Sequence, residues 1–359
     1  MSAPPLQLLV AAASLTVATV HGWVLRNPAH DPYDEDLWLG IGTQLPSGVA
    51  TAVVAVVALL GAVAAIALRP GRRLVAVAVV EVVVLGLLTP DASLLAILGY
   101  VSALALPLGA VLVLAFAARR VPALGLVLAV LLVGGAVWGM RTGALDHDAL
   151  GRLAGDLRDG FAGLGLRPWL LLGTGAAGLV WGWLLVRALG VEHLADFALR
   201  WGRLATLVAI CCPLPYVLVR LTWPTPWPVG GPGPDLELSP EIRLWGVLLG
   251  LAALVGSLLT VGLISSWGER FPRWTPGLTG RRVPITLAAV PAGLVAWVIV
   301  MAAPSMVAQA WVEGTPVYLL LFPLPVWGPA LALATIAYVM RRRTDEADAH
   351  ERRELSTAG

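Results

Sequence analysis

Residues 71–89 read Gly-Arg-Arg-Leu-Val-Ala-Val-Ala-Val-Val-Glu-Val-Val-Val-Leu-Gly-Leu-Leu-Thr. Two arginines open an almost unbroken apolar run, and one carboxylate, Glu81, stands near its middle. A helix needs about 20 predominantly apolar residues to cross a bilayer, so this run reads as a short membrane span. A charged side chain at the centre of such a helix costs roughly 2.5–3.5 kcal/mol on insertion scales. It is kept away from lipid, facing a protein interior or a watered cavity, and is a functional candidate by default.

The composition extends that reading to the whole chain. Of 359 residues, 58% are hydrophobic and 13% charged, where soluble domains carry about 25% charge. The chain is therefore expected to be an integral membrane protein. All 24 basic residues are arginine, a usage that, with so much Ala, Val and Leu, suggests a GC-rich bacterial genome. Cys211 and Cys212 are neighbours in an apolar run, which gives neither a disulfide framework nor a metal-ligand spacing. The N-terminal apolar stretch lacks a basic leader, so it reads as the first membrane helix and not as a cleaved signal.

Apolar runs of spanning length predict an all-α fold, a polytopic membrane helix bundle of about ten transmembrane helices. They lie near 6–25, 48–68, 74–89, 93–117, 121–139, 169–187, 204–222, 244–266, 283–303 and 317–340. Cytoplasmic loops are enriched in arginine, and with the N-terminus inside 17 of the 24 arginines fall on inner segments. Both termini are thus predicted to be cytoplasmic. The bundle would occupy 1–343, followed by a polar cytoplasmic tail at 344–359. An internal repeat is one further reading. Pro107 precedes Arg119-Arg120 by twelve residues as Pro329 precedes Arg341-Arg342, and Gly71-Arg72-Arg73 opens span three as Gly280-Arg281-Arg282 opens span nine. Residues 1–120 and 204–343 would then be parallel four-helix repeats with 121–203 between them. Chance similarity in a chain so rich in Ala, Val and Leu is the other reading.

Polar residues inside or beside spans are the site candidates: Glu81, His21 toward the outer end of span one, and Arg220 near the outer end of span seven. Glu81 reads either as lining a proton, ion or substrate path or as a hydrogen-bonding partner between helices. Arg220 reads as snorkelling to the interface or as holding an anion. Pro213, Pro215, Pro291, Pro323, Pro325 and Pro329 each remove a backbone donor from a span, which lipid tolerates only where neighbours or water satisfy the freed carbonyls. These six are candidates for a helix-break cavity wall.

Other features have plainer readings. Most of the fifteen tryptophans, including Trp23, Trp169, Trp223, Trp245 and Trp267, fall at span ends as interfacial anchors, and Trp297 and Trp327 lie deeper. The 148–164 segment is an amphipathic outer helix with Arg152 and Asp156 spaced i,i+4, and 192–204 is a smaller inner one. The loop 223–240 carries six prolines and is expected to be extended. His30, Asp31, Asp34, Glu35 and Asp36, with Asp146, His147 and Asp148, form acidic outer loops without a metal-binding spacing. Gly173 to Gly178 matches a dinucleotide fingerprint but sits inside span six, without the strand that the fingerprint requires. Gly178-x-x-x-Gly182 and Gly246-x-x-x-Gly250 read as packing seams. No cofactor, metal or nucleic-acid partner is predicted.

The inner loop Trp267-Gly268-Glu269-Arg270-Phe271-Pro272-Arg273-Trp274-Thr275-Pro276, continuing to Gly280-Arg281-Arg282-Val283-Pro284, resembles a loop in uncharacterised actinobacterial multi-spanning membrane proteins. The resemblance runs mainly over 204–303 and implies a bacterial cytoplasmic-membrane location, with no activity attached. On its own residues the loop is basic and aromatic, suited to lie on inner headgroups or to dock a cytoplasmic partner at Trp267–Pro284. The function expected first is transporter-like or permease-like, with a polar path near Glu81. The alternative is a membrane scaffold or interaction protein, and the third a membrane-embedded enzyme, which would need several polar groups at one depth.

Overall fold

The computed structural model describes residues 3–33, 40–46, 48–120, 122–141, 148–230, 238–271 and 278–357. The fold is all-helical, with no strand among the described residues. Among the described residues, seven helices are long and apolar enough to cross a membrane, and an eighth crossing is made if a helix pair bent by 55°, Arg72–Leu88 with Ser93–Leu106, counts as one. Asp34, Glu35, Asp36, Asp146, His147 and the loop centre 272–277 lie outside the described residues.

The chain divides into two compact units. The first contains residues 1–95, 166–212 and 258–359. Within it, α1 (Ala3–Val24) lies along α2 (Val49–Ala67), and α7 (Arg167–Leu189) packs against α1, α3 (Arg72–Glu81) and the π-helical segment Val82–Leu88 that continues α3. The same unit packs α13 (Leu324–Thr357) against α8 (Val191–Cys211) and α11 (Ile285–Val312). Ala209, Ile299, Ala302, Leu324, Ala334 and Tyr338 form a continuous apolar core there.

The π segment is a departure from the regular helix expected at 74–89, and it coincides with a close approach of α7. Gly178 of α7 meets Gly86 so closely that a Cβ on Gly178 would stand 2.6 Å from the Gly86 Cα. The segment closes with the Thr89 amide donating to the Val84 carbonyl at 3.1 Å, and the Thr89 hydroxyl donates to that same carbonyl. Pro90 then bars continuation.

Three boundaries also shift. The inner amphipathic stretch and the start of span seven are one continuous helix, α8, because nothing before Pro213 interrupts the ladder. The break falls at Cys212-Pro213, and α9 (Leu214–Thr222) begins after it. Span ten is interrupted at Phe322-Pro323, after the short α12 (Tyr318–Leu321), and α13 then runs through the segment expected to be a polar tail.

Midway along α13, the Tyr338 hydroxyl donates to the Gly268 carbonyl at 2.7 Å and Arg342 Nη2 to the Val283 carbonyl at 2.9 Å. The Phe271 amide bonds the Arg281 carbonyl and the Val283 amide bonds the Glu269 carbonyl, so the two flanks of the inner loop pair as a small hairpin. Gly280, with φ +73°, sits in the 278–281 turn on one flank, whereas Gly71 directly precedes the first turn of α3. The two Gly-Arg-Arg triplets therefore occupy different local structures.

The second unit contains residues 96–165 and 213–257. It includes α5 (Pro122–Arg141), the expected amphipathic helix as α6 (Ala149–Gly163), and most of α4 (Ser93–Arg120) and α10 (Pro240–Val261). Gly246 and Gly250 are approach points here, facing the Trp223 ring and the Arg220 side chain. Arg152 Nε donates to Glu241, a partner on another helix that the i,i+4 reading with Asp156 did not anticipate.

Candidate functional site

Glu81 ends α3 and starts the π segment. It is 1% exposed, and its Oε2 has no hydrogen-bond partner. Leu74, Ala78, Glu81 and Leu85 repeat at helical spacing on the buried face, so the α3 pattern itself turns the carboxyl inward. Room for it comes from α2. A Cβ on Gly61 would stand 2.2 Å from Glu81 Oε1, so the carboxyl rests in the space this glycine leaves.

Thr51 and Gly61 share the buried face of α2. At 1.5 Å per residue the ten positions between them place a second polar layer about 15 Å from Glu81. That layer is held by helix starts. Asp31 accepts from the Thr51 hydroxyl at 2.7 Å and from the Gly48 amide at 3.1 Å, which caps the α2 N-terminus. Asp91 does the same for the turn opening α4, accepting from the Ser93 amide at 2.9 Å. Arg167, in the first turn of α7, donates through Nη2 to Asp91 at 2.6 Å and through Nε to the Pro32 carbonyl at 2.8 Å.

His21 is buried in this layer. Its Nδ1 lies 3.0 Å from the Val17 carbonyl and its Nε2 3.4 Å from the Tyr33 hydroxyl. Burial, then the neighbouring Asp31 and Asp91 carboxylates, push the Tyr33 hydroxyl above its ordinary range, and a hydrogen bond with Thr174 opposes them. Tyr33 is thus a neutral phenol at any physiological pH. Between the layers, Trp181 donates its Nε1 to the Ser14 hydroxyl at 2.8 Å, and both are fully buried. Trp181 joins Trp297 and Trp327 as an indole away from the span ends, and its depth satisfies the need of an indole N–H for a partner. Trp223 also departs from the anchoring expectation, being buried against Gly246.

Of the site residues expected from sequence, Glu81 and His21 lie in the same unit at two levels. Arg220 lies in the other unit, its guanidinium over the Trp223 ring at 3.8 Å and the Tyr216 ring at 4.9 Å, a cation–π clamp. The six prolines are dispersed. Pro213 and Pro215 belong to the second unit, and Pro291, Pro325 and Pro329 are exposed, while Pro323 is half-buried.

Sequence reasoning missed Asp91, Arg167, Tyr33, Ser14 and Thr51. Asp91-x-Ser93 after Pro90 is a readable helix-start signal. Arg167 is one of the few arginines on the side expected from the sequence to be arginine-poor, which marks it as needing a specific reason to be there. No family model, curated protein or solved structure matches the chain.

Proposed function

We propose that the protein is a transporter-like or permease-like membrane protein in which Glu81 binds and releases a proton or a small monovalent cation within the bilayer. The chain would cross about ten times with both ends in the cytoplasm of a bacterial cell, as the arginine distribution indicates. The observation that carries the reading is the Glu81 carboxyl, buried against Gly61 with Oε2 unpartnered. An isolated carboxylate out of water is costly, and a carboxyl that served only to join helices would have its oxygens in hydrogen bonds. An open carboxyl at this depth is suited to take up and give back a ligand.

The second polar layer supports the same reading from the other side. Its Asp31, Asp91, Arg167 and His21 groups make bonds with one another, with Thr51 and Tyr33, or with backbone, which supports a polar layer that is part of the framework and not the binding group. Ser14, Thr174 and Trp181 are among the buried polar groups between it and the Glu81 level.

Infrared difference spectra of the reconstituted protein, recorded while pH or sodium concentration is switched, test the chemistry. The expected result is a carboxyl band that responds to the switch and is lost in Glu81→Gln, with helical content unchanged. Superimposable spectra for the two proteins would leave Glu81 as structural and remove the proposal.

A further inference from the structure

At the opposite end of the first unit from the Asp31 layer, a groove of ≈ 220 Å³ opens between α1, the turn before α3, and α7. Leu6, Leu74, Val75 and Leu184 make its wall apolar. Gln7, the uncharged polar side chain on that wall, is already engaged, donating to the Leu68 carbonyl at 3.1 Å.

The rim is cationic. Arg187 lines it, with its guanidinium 5.1 Å from the Trp183 ring centroid. Arg69, Arg72 and Arg73 are exposed around Pro70-Gly71, the turn that forms one edge. Arg72 and Arg73 occupy the first turn of α3, where the helix dipole is already positive, with no acidic residue in that turn and no side-chain cap. Like charges gathered at a positive helix end favour an anion. Glu192, beyond the Gly190 turn, is the nearest carboxylate along the chain and is exposed.

We propose that this groove binds one anionic phospholipid, with an acyl chain along Leu6, Leu74 and Leu184 and the phosphate between Arg187 and the start of α3. The pairing follows from charge complementarity. A zwitterionic lipid offers the same chain and phosphate but brings a cation to the arginine rim, and a soluble anion leaves the apolar wall uncovered. The proposal is independent of what Glu81 does.

The test is native mass spectrometry of the whole protein in detergent, with equal amounts of phosphatidylglycerol and phosphatidylcholine of identical chains. Wild type should retain one phosphatidylglycerol in about fivefold preference, the contribution of one arginine near an anionic headgroup. Arg187→Gln should bring the two lipids close to parity, and Val75→Trp, which fills the groove, should lower retention of both. If Val75→Trp fails to fold, Ala188→Trp at the groove's exposed edge takes its place with the same expectation. Equal retention of both lipids by wild type, or wild-type lipid adducts on Arg187→Gln and the groove-filling variant, would overturn the assignment.

Discussion

Asp91 and Arg167 meet with side chains only 3% and 4% exposed. Removing one member of a buried pair strands the other charge, at a cost of about 3–5 kcal/mol, whereas replacing both by apolar groups of similar volume can be nearly neutral. Arg167→Met alone should therefore lower the thermal unfolding midpoint in detergent sharply, and Asp91→Leu combined with it should recover most of the loss. A double variant as unstable as the sum of the singles would show the two groups to be uncoupled. At this scale the sequence was only partly legible. Glu81 stood out because nothing near it in the chain is polar, but the Asp91–Arg167 pair joins residues 76 apart. Each sits at a different helix start, and their meeting depends on packing that no local pattern encodes.

Among the elements, the contact of α7 with the π segment is the tightest to interpret. A methyl on Gly178 would meet Gly86 backbone at 2.6 Å, while one on Gly182 would find the Val82 Cγ2 at an ordinary 3.8 Å. Gly178→Ala should cost about 1–3 kcal/mol, as overpacking does, and Gly182→Ala should be neutral or slightly stabilising, both read from thermal melts. Equal effects of the two would mean that the π segment yields to the added methyl. The Gly-x-x-x-Gly spacing announced a seam but could not say which glycine was indispensable. Nor could it announce the π turns, since residues 82–88 carry the same Val and Leu as a regular helix. The proline signals were accurate as chain breaks at Cys212-Pro213 and Phe322-Pro323. Pro291 and Pro329, by contrast, sit inside continuous helices with exposed rings.

For the whole molecule, hydropathy alone made the membrane class and the all-helical fold legible, because lipid forces every spanning backbone group to be satisfied within its own helix. The division into two units was not legible, since Leu, Val and Ala run through both without a change of composition. Whether the molecule moves an ion is likewise a property of the assembled bundle. The central claim is that Glu81 carries that ion, and potential-driven flux into proteoliposomes holding a proton- or sodium-sensitive dye tests it most directly. The account predicts flux above that of protein-free vesicles for wild type, reduced flux for Glu81→Asp, and only background leak for Glu81→Gln in a protein that still folds. Wild-type flux carried by an equally stable Glu81→Leu would contradict it.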